Sequence, residues 1–177
     1  MMGAPLTVMR RLLPMLVLLV AALPAADSAQ LREVFHPKAD LPAFRCAVPG
    51  DWSSSVDANG NLLLANREHT ANFSLTFVPS AQPHEALDTL AKAILAQAVT
   101  APWDSREPAE ISGYRGFKYT ARVRPVNGSE VRTEVVLVAV GDRQIAAASM
   151  LLSAHLSSAD ETTARLVHAA VRIVPGP

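Results

Sequence analysis

The chain has 177 residues, half of them hydrophobic, with 16 basic and 16 acidic side chains and no formal net charge. That balance excludes the basic field on which nucleic-acid binding draws, and the length suits one folded domain behind a leader. The single cysteine, Cys46, has no partner for an internal disulfide, so stability must come from an apolar core.

Arg10 and Arg11 precede the apolar run LLPMLVLLVAALPA, and small residues follow in AADSA. Basic, then apolar, then small is the order of a secretory signal peptide. Pro24 and Asp27 interrupt the run before it reaches the ~20 residues of a membrane span. Residues 1–29 are therefore read as a signal peptide and the rest as a secreted or periplasmic chain. No cysteine stands at the end of the run, so no lipid anchor is expected. Residues 30–42, polar with two prolines, read as an N-terminal arm, and 43–177 as a single α+β domain.

The domain begins with a short strand, AFRCAV (43–48), ended by the turn signal Pro49-Gly50. A second turn, DANGN, leads to NLLLAN and NFSLTFV. Phe73, Leu75 and Phe77 alternate with Asn72, Ser74 and Thr76, the period of a strand with one wet face. A four-residue loop, Arg67 to Thr70, sets Leu64 opposite Phe73 and Leu62 opposite Leu75.

At Pro83 the period changes. Leu87, Leu90, Ala91, Ile94 and Ala98 recur at three and four, which predicts a helix over 83–99 with Pro83 in its first turn. An irregular link with a short strand near Ile111 follows. FKYTARVRP and VRTEVVLVAV then form a hairpin. A three-residue loop, Asn127 to Ser129, pairs Val123 with Thr133, Ala121 with Val135 and Tyr119 with Leu137, and sets Arg122 across from Glu134. A one-residue slip would mix the faces. Gly128 supplies the left-handed residue of that loop. QIAAASMLLS, apolar on both faces, predicts a central strand with a helix close upon it. Ser158 and Glu161 read as a capping box, opening a last helix whose Leu166, Ala170 and Ile173 share one side. The expected fold is α+β: a mainly antiparallel sheet of about five to seven strands packed against two amphipathic helices.

This order of elements resembles the PsbP-like superfamily, which includes the PsbP accessory proteins of photosynthetic membranes and bacterial DcrB-like proteins. The likeness rests on VPGDW, LLLAN, NFSLTFVP, ALDTLAKAI, GYRGFKYTARV and EVVLVAVGDRQIAAASM, across roughly residues 43–174. It implies a helix/sheet/helix sandwich and a non-enzymatic role in binding or assembling other proteins at a membrane. It carries no catalytic residue onto this chain.

The residues themselves point the same way. His36, His69, His84, His155 and His168 are scattered and form no metal-ligand pair, and no G-x-S-x-G or phosphate loop occurs. No catalytic residue, cofactor or metal is expected. Cys46 reads as a buried structural thiol and Trp52 as the core anchor of the first corner. Five residues are candidates for binding. Trp103 lies in a proline-flanked link, and Lys118, Arg122, Arg124 and Arg132 crowd one face near a hairpin tip, suited to an acidic partner or lipid head groups. The predicted function is a non-enzymatic binding or accessory protein of the cell envelope with a protein partner and no nucleic acid. A periplasmic chaperone for hydrophobic segments is the first alternative, and a small hydrolase or thiol enzyme using Cys46 the second.

Overall fold

The computed structural model describes residues 30–37, 42–98, 102–124 and 130–175. The signal peptide read over residues 1–29, the loop predicted at Asn127 to Ser129 with Gly128, and the end of the predicted helix at residue 99 lie outside the described residues.

In chain order the elements are β1 (Leu31–His36), β2 (Ala43–Pro49), β3 (Ser53–Val56), β4 (Leu62–Ala65), β5 (Ala71–Pro79), α1 (Pro83–Ala98), β6 (Ser105–Ile111), β7 (Tyr114–Val123), β8 (Val131–Val140), β9 (Gln144–Ser153), α2 (Ser158–Ala169) and β10 (Arg172–Val174). Seven strands form one antiparallel sheet in the order β3-β4-β5-β9-β8-β7-β6. The alanine-rich β9 is its central strand, as its two apolar faces required. A separate three-stranded sheet, β1-β2-β10, was not foreseen. It forms because Leu31–His36, read as part of an arm, pairs with β2 along its whole length.

Residue parity divides the large sheet into two faces. On one, Phe73, Leu75, Val136, Val138, Met150 and Leu152 meet Phe44, Cys46 and Val48 of the small sheet and Ala164 and Val167 of α2. Trp52 closes this core against Phe73, ring centroids 5.4 Å apart. On the other face, Leu87 and Ala91 of α1 pack on Tyr119, Val135, Leu137, Ile145 and Ala147. The layers are therefore α1, the seven-stranded sheet, and α2 with the small sheet.

The β4/β5 hairpin has the expected register, Leu62 with Leu75 and Leu64 with Phe73. Buried Asn66 fixes its loop: its Oδ1 accepts from the Thr70 and Ala71 amides, and its Nδ2 donates to Thr70 Oγ1. The β7/β8 hairpin departs from expectation. Val123 pairs with Val131, Ala121 with Thr133, Tyr119 with Val135 and Phe117 with Leu137. The slip is two residues, so each side chain keeps its face, and alternation alone cannot distinguish the two registers. The predicted Arg122–Glu134 pair is lost: Arg122 faces Arg132, and Glu134 faces Thr120. The last helix is capped one residue earlier than expected. Ser157 is the N-cap and accepts from the Asp160 amide, because Glu161 is drawn to Arg132 and Arg165.

Candidate functional site

Cys46 is only 1% exposed, and its Sγ donates weakly to the Val167 carbonyl at 3.6 Å. Burial pushes its thiol up to about 11, with Arg172 opposing in part, so the nucleophilic thiolate is scarce near neutrality. The native protein is expected to label with a thiol reagent no faster than it unfolds, and fully in denaturant. Rapid labelling of folded protein at mildly alkaline pH would reveal an accessible thiol. Among the described residues, no group of three His, Cys, Asp or Glu side chains is placed to hold a metal ion.

The strands bring four of the five candidate residues to one side. Lys118, Arg122 and Arg132 lie on the α2 face of β7 and β8, with Arg124 just beyond the end of β7. Three of them carry acidic partners. Arg132 makes a two-pronged pair with Glu161, Nη1–Oε1 3.0 Å and Nη2–Oε2 2.5 Å. Lys118 lies 3.1 Å from Glu107, and Arg124 3.5 Å from Glu130. Arg132 and Arg165 together hold Glu161 down to about 2. His168 Nδ1 lies 3.1 Å from Glu134 and keeps that carboxyl below its usual range. Arg122 has no ion-pair partner among the described residues, and its backbone amide donates to Asp104 Oδ2 at 2.9 Å. A 150 Å³ cleft here is lined by Arg122, Arg132 and Arg165 but also by Asp104 and Glu134. The charges that crowd together in sequence thus largely neutralise one another.

Trp103 is on the opposite face. Its ring sits 5.6 Å from Tyr119 and packs with Leu95 of α1, Ala121 and Val123. Its Nε1–H is buried and reaches no acceptor among the described residues. A polar clip holds the helix in place beside it. Asp88 of α1 accepts from Tyr119 Oη at 2.5 Å and from Arg106 Nε at 2.8 Å, and Arg106 stacks on Phe117 at 3.3 Å. Burial, with the Asp88 hydrogen bond, pushes the Tyr119 phenol up to about 12.

Beside α1 lies a feature to which Trp103 alone, among the five candidate residues, contributes. The helix packs on β7, β8 and β9, and among the described residues no helix covers the same face of β4 and β5. The result is a groove of 410 Å³ walled by Leu90, Ile94 and Trp103 and floored by Ser74, Thr76 and Ser149. A second hollow of 290 Å³ continues it to the sheet edge at Ser53 and Ser55. The two share Ser74 and Leu151, so they form one trough. Leu63 and Leu151 stand 37% and 38% exposed in it. Both were visible in sequence as LLL and MLL, where an apolar side chain occupies a position that alternation assigns to the wet face.

No protein-family model matches the chain, and no curated protein does. Solved structures do. LpqN of Mycobacterium tuberculosis, involved in cell envelope biogenesis, is 14% identical over 82% of this chain and 91% of its own, with a TM-score of 0.57. The cyanobacterial PsbP protein CyanoP of Synechocystis sp. PCC 6803 is 10% identical over 88% and 99%, TM-score 0.55. The Ran-binding protein Mog1p of Saccharomyces cerevisiae is 11% identical over 84% and 97%, TM-score 0.53. A Bacteroides thetaiotaomicron protein is 18% identical with a TM-score of 0.51, and this chain spans 45% of its length. The fold is PsbP-like, as the order of elements had suggested.

Proposed function

We propose that this chain is an exported, non-enzymatic binding or accessory protein of the cell envelope, and that it engages its partner through the trough beside α1. The observation that carries the reading is the half-covered sheet face, where Leu63 and Leu151 stay exposed in a hollow with Trp103 at its far wall. The leader supports export. The printed roles of two fold neighbours, envelope biogenesis for LpqN and Ran binding for Mog1p, support a binding role. Arg122, the candidate cation without an acidic partner among the described residues, is proposed as a contact on the opposite face.

A photo-crosslinking side chain at position 151 or 63 tests the reading. In intact envelopes it is expected to give a discrete adduct that the same group at position 166, exposed on α2, does not give. Equal labelling from all three positions, or none, would refute it. An apolar trough also suits a chaperone that shelters hydrophobic segments, the second reading. It requires many unrelated adducts in place of one.

A further inference from the structure

Resting on the trough as the binding site, we infer that its occupant is an amphiphile: a hydrocarbon tail with an uncharged, hydrogen-bonding head. Charge is the first argument. Of the residues lining the two hollows, His69 alone is ionisable. A charged head drawn in would lose its water and meet no counter-charge, which is costly.

Shape is the second argument. The trough crosses the sheet from Ser53 and Ser55 at the edge to Trp103 beside α1, so it is long. An extended peptide would fit the shape but not the chemistry. Strands β4, β5, β9 and β8 are each paired on both sides, so their ladders are spent. A peptide laid across them would bury N–H and C=O groups against little but hydroxyl side chains. A hydrocarbon chain has no such groups to satisfy.

The trough is also differentiated along its length. The edge end offers Ser53, Ser55, Asn72 and Ser74, donors and acceptors without charge. The far end offers Leu90, Ile94, Leu95, Val123 and Val135. Head at the edge and tail along the side of α1 satisfies both.

Titration of the folded chain with dodecyl maltoside, kept below its micelle threshold, tests this by calorimetry and tryptophan fluorescence. One saturable site per chain is expected. Dodecyl sulfate and dodecyltrimethylammonium should bind it at least about tenfold more weakly. Leu151→Asp should weaken maltoside binding by a similar factor with the unfolding midpoint unchanged, since Leu151 is already partly exposed, whereas Leu166→Asp should change nothing. Absence of saturable binding, equal affinity for charged heads, or an undiminished Leu151→Asp variant would each overturn the inference. If position 151 still crosslinks a discrete protein while maltoside fails to bind, the amphiphile is wrong and the trough as a docking site stands.

Discussion

Gly116→Ala should cost more than about 3 kcal/mol, or prevent folding outright. The residue lies in β7 across from Val138, and the two backbones approach so closely there that a Cβ would sit 1.9 Å from the Leu137 carbonyl oxygen and 2.8 Å from its carbon. No rotamer relieves a clash between a Cβ and a neighbouring main chain, so β7 or β8 must shift, and both lie inside the sheet. Against a typical domain stability of about 5–15 kcal/mol, the loss is severe. Urea unfolding of soluble variants measures it. Gly113→Ala provides the contrast. Gly113 has φ +86° and nothing within 4 Å of its virtual Cβ, so alanine there meets only backbone strain, about 1 kcal/mol. If both variants lose the same small amount, the close approach at Gly116 is not a constraint of the fold.

Phe44→Ala should cost about 3–5 kcal/mol. Phe44 is fully buried at the centre of the small sheet, between His36 and Ile173 in register, and stacks on Phe77 of the large sheet at 4.4 Å. With Cys46 and Val48 it fastens one sheet to the other, and its removal leaves a hollow that two paired sheets cannot readily collapse to fill. Phe35→Ala, on partly exposed β1, should cost much less, although Phe35 lies under the Arg45 guanidinium. Denaturation midpoints compare the two. A loss at position 44 no greater than at position 35 would mean that the small sheet is held mainly by its hydrogen-bond ladder and not by this core.

How far the sequence determines the fold differs from one hairpin to the next. Between β4 and β5 the loop is short and Asn66 ties it from within, so apolar pairing and loop length agree on one register. Between β7 and β8 a shift of two residues satisfies the same alternation. Only neighbours distant in sequence, such as Glu161 against Arg132, choose between them. The small sheet was hidden for a related reason: it joins β1, β2 and β10, and no local pattern announces a partnership between the two ends of the domain.

The candidate site shows the same limit. Clustering of Lys118, Arg122, Arg124 and Arg132 along the chain was real, but Glu107 and Glu161 from other elements and Glu130 from the same hairpin pair with three of them and turn a basic patch into a balanced one. The trough arises from where α1 stops covering the sheet, a property of layer geometry. Its local traces are the pair of misplaced leucines and Trp103 in its proline-flanked link.

The strand Arg172–Val174 pairs with Ala43–Pro49 and so closes a loop of more than half the polypeptide. Such a closure is entropically slow. Phe44 is thus flanked on one side by a strand close to it in the chain and on the other by one that must return from the far side of the domain.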